Sequence, residues 1–126
     1  MTAGKVDFVS ICGAENSAGA CEQGSTFQRV LFHKNADGTA INLTGYTARM
    51  QVRKFVNSAD VTLSLTTENG RLVIDPLLGK ITMTISAADT TTLPVGCYVY
   101  DLELVSGSFV KKLIYGGLHV VGEVTR

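Results

Sequence analysis

Histidine is the side chain that most often moves a proton near neutral pH or holds a metal, and the sequence has two, His33 and His119. Either would need company. A nucleophile requires a base and a group that orients it, and a metal requires a ligand set. No CxxC, HxH or HExxH spacing occurs, so each histidine reads as a lone strand residue, at the surface or satisfied in the core. Three cysteines, Cys12, Cys21 and Cys97, could supply a thiol. Dyads of Cys12 with His33 or of Cys97 with His119 are neither supported nor forbidden by spacing. Asp101 and Glu103 fall on one face of a predicted strand. Paired carboxylates can do acid–base work, but alternation with Leu102 and Leu104 assigns these two to a solvated face. Lys111 and Lys112, on the returning strand, are their expected cross-strand counterions. Asn35-Ala36-Asp37-Gly38 begins like a calcium loop, yet the later acidic ligands are missing and the stretch reads as a hairpin turn. The glycines are scattered at turns and form no phosphate loop. There is no tryptophan, and Tyr46, Tyr98 and Tyr100 fall on inward faces, so no aromatic platform is expected. The reading is of a protein that is not an enzyme, with no catalytic residue, no cofactor and no metal.

Composition narrows the partners. Eleven basic and eleven acidic residues give a formal net charge of zero. Without a basic field there is little to attract a phosphate backbone, so no nucleic acid is expected. No apolar run approaches the ~20 residues that span a bilayer, and no membrane partner is expected. The N-terminal apolar core is short and broken by Asp7 and Ser10, unlike a signal peptide; the expectation is synthesis and folding in a cytoplasm. That compartment favours reduced thiols. Cys12 and Cys21 nevertheless flank a Gly- and Ala-rich loop that a local disulfide could close, and an odd cysteine count argues against a closed disulfide framework.

The elements that position these residues are short and alternating. At 126 residues the chain is read as one sandwich domain over residues 25–126, preceded by an N-terminal arm, 1–24, that holds a short strand near Lys5–Ile11 and the cysteine-containing loop. Strands are predicted at Thr26–Lys34, Tyr46–Phe55, Asp60–Thr66, Arg71–Asp75, Ile81–Ile85, Cys97–Val105, and Phe109–Tyr115 continuing to Leu118–Val121. Ala48, Met50 and Val52 face inward, as do Val61, Leu63 and Leu65, then Ile81, Met83 and Ile85. Gly116-Gly117 is read as a bulge or sharp twist. One helical turn fits near Ala87–Leu93, stopped by Pro94. The fold class is therefore all-β, an antiparallel Ig-like β-sandwich of seven to nine short strands. Tyr98 follows the Leu93-Pro94-Val95-Gly96 turn and is placed as a tyrosine corner, its hydroxyl bonding back to that turn.

Two stretches, Glu22-Gln23-Gly24-Ser25-Thr26-Phe27 and Asn42-Leu43-Thr44-Gly45-Tyr46 running on to Arg53, resemble small structural proteins of tailed bacteriophages, including stand-alone relatives of the N-terminal domain of phage baseplate upper proteins. The run Leu93 to Leu104 is similar too, so the likeness covers residues 22–121. Residues 12–21 look like an insertion between the first strand and the Glu-Gln-Gly turn. The resemblance implies a structural virion protein made in the host cytoplasm, an adaptor of the tail, baseplate or neck. Its partners would be copies of itself, as a homo-oligomer, and other virion proteins. Alternatives of the same architecture are a capsid decoration protein and a receptor- or carbohydrate-binding module.

Overall fold

The computed structural model describes residues 4–6, 8 and 19–123. Among them nine strands form two sheets. The strands are β1 (Gly4–Lys5), β2 (Cys21–Glu22), β3 (Phe27–Phe32), β4 (Thr47–Arg53), β5 (Leu63–Thr66), β6 (Leu72–Asp75), β7 (Lys80–Ile85), β8 (Gly96–Ser106) and β9 (Phe109–Val121). A 3-10 turn, Pro76–Leu78, joins β6 to β7, and helix α1 (Ala87–Thr92) joins β7 to β8. The larger sheet runs β1-β9-β8-β4-β5, with β2 also on β9; the smaller runs β3-β7-β6. In immunoglobulin lettering β3 to β9 take the places B, C, C′, D, E, F and G, with one strand, C′, added to the G-F-C sheet. The chain is an all-β, Ig-like sandwich.

Several details differ from the sequence reading. β8 and β9 are not short, at 11 and 13 residues, because a two-residue turn at Gly107-Ser108 lets one long hairpin form. The sandwich is antiparallel except at its N-terminal lane, where β1 and β2 pair parallel to β9. Phe8 bridges Leu118 in the same sense. Val61 is 38% exposed rather than inward, since β5 begins only at Leu63. The irregularity in the hairpin lies at Leu113, not at Gly116-Gly117. Leu102 pairs with Ile114 while Glu103 pairs with Lys112, so Leu113 is the extra residue.

Elsewhere the period of two sorts the side chains. Ala48, Met50 and Val52 of β4, Ile81, Met83 and Ile85 of β7, and Tyr98, Tyr100, Leu102 and Leu104 of β8 are all buried. Immunoglobulin domains tie strands B and F with a disulfide. Here Phe27 of β3 and Tyr100 of β8 are joined through the Phe8 ring, at centroid distances of 5.3 and 5.2 Å. Such ring pairs contribute about 0.5–1.5 kcal/mol beyond their burial. The Tyr100 hydroxyl also donates to the Val6 carbonyl at 2.6 Å, which ties the first lane to the core.

The stretches behind the phage resemblance close the sandwich at its two ends. At one end Gln23 donates to the Leu93 carbonyl at 2.6 Å, and the Gly24 amide donates to Thr90 Oγ1 at 3.1 Å. The Thr90 hydroxyl, fully buried, donates in turn toward the Ser25 and Ala87 carbonyls. The Glu-Gln-Gly turn is thus a clamp on α1. Gly24 has φ 81°, a torsion that L side chains rarely adopt, and a side chain there would also have to displace the Glu123 carboxylate. At the other end Asn42 Oδ1 accepts from the Thr44 amide and hydroxyl, an Asx-type turn. That turn drives Leu43 into the core, where its amide donates to the Pro76 carbonyl at 3.0 Å.

Candidate functional site

Cys12 lies outside the described residues. Its loop partner Cys21 is a free thiol on β2, buried in the core. Burial pushes its pKa up to about 11, against a smaller opposing effect of Arg29, so it is protonated and a poor nucleophile at neutral pH. Cys97 is exposed and lies directly across from His119 on β9. Strand alternation puts both on the outer face of the larger sheet. His119 Nδ1 is buried and without a hydrogen-bond partner. Among the described residues no carboxylate or amide orients that ring, so the two lack the third member of a catalytic set. His33 is buried at the end of β3, with Lys111 Nζ 3.4 Å from its Nε2. Burial lowers its pKa, and the Lys111 charge lowers it further. Among the described residues no three His, Cys, Asp or Glu side chains gather as metal ligands.

The carboxylates on β8 are each paired. Lys112 Nζ lies 3.4 Å from Asp101 Oδ2. Glu103 takes Arg49 of β4 at 2.8 Å rather than a lysine of β9. Lys111 is opposite Leu104 in the register, so it enters the mouth of the sandwich toward His33 instead of joining the outer face.

The Tyr98 hydroxyl donates to the Pro94 carbonyl at 2.7 Å. The stop at Pro94 and the start of β8 are thereby fastened together. The ring is buried, which raises the phenol pKa.

Beside an open hollow of about 590 Å³ at the turn after β2, lined by Gly19, Glu22, Thr26, Phe27 and Arg29, two surface features remain. One is a hollow of about 410 Å³ on the outer face of the larger sheet, lined by Gln51 and Arg53 of β4, Val99 and Asp101 of β8, and Lys112, Tyr115 and Gly117 of β9, with Val56 at its edge. Cross-strand rows explain it. Arg53, Val99 and Gly117 stand side by side, and so do Gln51, Asp101 and Tyr115. Gly117 supplies no side chain to its row, so the floor drops. The second feature is the outer face of the smaller sheet. Val30 and Val73 flank Thr82 in one row, and Phe32 lies in the next beside Lys80 and Asp75. These apolar side chains are 45%, 56% and 55% exposed respectively for Val30, Val73 and Phe32. Leu77 and Leu78, exposed on the turn that follows β6, continue the apolar surface.

Sequence reasoning flagged Asp101, Lys112 and the two glycines but missed Tyr115. The available signal was the two-glycine step itself, which removes side-chain bulk beside an aromatic residue. No protein-family model matches the chain, and no curated protein is significantly similar to it.

Proposed function

We propose that this chain is a non-enzymatic assembly module, a structural protein of a tailed-phage virion that acts through contacts with copies of itself and with neighbouring virion proteins. The observation that carries the reading is the apolar outer face of the smaller sheet. Val30, Phe32 and Val73 sit in adjacent rows, extended by Leu77 and Leu78. A grouped apolar face of this kind marks a contact surface more often than scattered exposed residues do. β3 and β6 are also the edges of that sheet, and an unpaired edge can be lengthened by another chain. Zero net charge leaves little self-repulsion to oppose packing of identical copies. The sequence resemblance to tail and baseplate proteins supplies the virion setting, and the tail, baseplate or neck is the part of the particle it favours.

Native mass spectrometry of the purified protein across a concentration series tests the assembly reading. Closed oligomers of defined stoichiometry are expected. A strict monomer at the highest concentration would sink self-association. Peptide mass spectrometry of purified phage particles tests the setting, with the chain expected as a stoichiometric component; its absence from particles removes the virion reading.

A further inference from the structure

We infer that the hollow at Gly117 is a saccharide-binding site, an inference that does not rest on the virion reading. Its lining differs in kind from the apolar face that carries the assembly reading. A sugar ring offers an apolar C–H face and a rim of hydroxyls, each both donor and acceptor. Recognition therefore calls for one aromatic side chain beside several planar or charged polar groups. Tyr115 provides the aromatic side chain. It is 41% exposed and stands in the row with Asp101 and Gln51.

The polar groups have matching roles. Asp101 is an acceptor, and its partner Lys112 is a donor held at 3.4 Å in a pair that is nearly half exposed on both sides. An ion pair so open to water is weak, so both groups can turn to ligand hydroxyls with little loss. Gln51 has one acceptor and two donors. Its Oε1 takes a hydrogen bond from Arg53 Nη2 at 2.8 Å. Arg53 Nη1 is fixed on the Ser58 carbonyl at 2.7 Å. The wall of the hollow is therefore built in place before any ligand arrives. Val99 and Val56 add apolar lining. The volume, about 410 Å³, falls within the ~300–1,000 Å³ span of small-ligand sites. A protein partner would favour an apolar centre with charge kept to the rim. Here Arg53, Asp101 and Lys112 line the hollow itself beside Val99 and Val56, which favours a small ligand that has both polar and apolar faces.

The test is a titration of isotope-labelled protein, followed by amide NMR, with methyl glycosides of glucose, galactose, mannose and N-acetylglucosamine and with glucuronic acid. Saturable shifts confined to the amides of Val99, Asp101, Tyr115, Gly116 and Gly117 are expected for at least one sugar. Tyr115→Ala and Asp101→Asn should each weaken that sugar at least about tenfold while the melting temperature holds. Glu68→Gln, exposed on the turn between β5 and β6, should leave the affinity unchanged. The inference is overturned if no sugar of the panel moves those amides, or if both variants bind as the parent does. It is equally overturned if the same amides shift on dilution of the protein alone, which would make the face a contact between copies.

Discussion

The two outer faces of this sandwich are built by the same alternation and end up with opposite character. On the smaller sheet the outward positions hold Val30, Phe32 and Val73 around Thr82 and Thr84 of β7, with Lys80 and Asp75 in the Phe32 row. On the larger sheet they hold Arg49, Gln51, Arg53, Asp101, Glu103 and Lys112, cross-paired and parted by the gap at Gly117. One face has grouped apolar area to bury, with Lys80 and Asp75 as the charges beside it. The other would have to shed the water around several charges before a broad partner could seat on it, and burying charge costs more than the pairs return unless geometry is very good. The contrast teaches that the two faces suit different partners, an extended protein surface for the first and a small polar molecule for the second.

The largest expected effect breaks the apolar face. Placing lysines there, as Phe32→Lys with Val73→Lys, should weaken self-association by about two orders of magnitude, given ~1.5–3 kcal/mol for a large apolar side chain removed from a contact. Sedimentation velocity reads this. Stability should change by less than about 0.5 kcal/mol per site, since both are surface positions. Unaltered association would move the interface elsewhere and remove the contrast.

Next comes the anchor of the larger sheet. Tyr98→Phe deletes the bond to Pro94 and leaves that carbonyl short of a donor. A loss of about 1 kcal/mol in urea unfolding is expected. An unchanged midpoint would show that the turn is held by packing alone.

A smaller effect concerns the mouth between the sheets, where His33 meets Lys111. The folded pKa of His33 lies below its ordinary value, first through burial and then through Lys111. The unfolded chain therefore binds the proton more readily, and stability is lost as pH falls below about 6.5 toward the folded value. Replacing the cation, Lys111→Met, should raise the His33 pKa, as read by NMR titration of its ring protons. A pKa that does not move would assign the whole shift to burial.

The smallest effect belongs to Arg49 and Glu103. Their bond is short at 2.8 Å, but Arg49 is about half exposed. A double-mutant cycle with Arg49→Gln and Glu103→Gln should give a coupling below about 1 kcal/mol that shrinks with added salt. A larger, salt-insensitive value would mean that the charged face is more rigid than its exposure implies.

Much of the fold was legible. Strict alternation in Ala48–Val52, Ile81–Ile85 and Tyr98–Leu104 told which residues enter the core, because a half-buried strand has no other way to separate apolar from polar side chains. The stop at Pro94 and the helical turn before it were equally local. The apolar outer face was less so. Both faces of Thr26–Lys34 carry apolar residues, so its own alternation does not say which face is buried, and only pairing through β7 sets Val73 in the row with Val30.

The candidate site shows where local reasoning ends. Counting back from the Gly107-Ser108 turn in a regular hairpin sets Tyr115 opposite Tyr100, on the inward face. The extra residue at Leu113 shifts the register by one, so Tyr115 faces outward beside Asp101 and Gly116 takes the place opposite Tyr100. A one-residue slip inverts every side chain beyond it. The composition and alternation of the sequence determined a charge-neutral all-β sandwich, its core and its corner tyrosine, because those depend on near neighbours along the chain. Tertiary structure alone decided the hollow, the mating of Lys111 with His33 and the join of Phe8 to β3 and β8. Each of these depends on a register, and a register is fixed only when distant strands pack together.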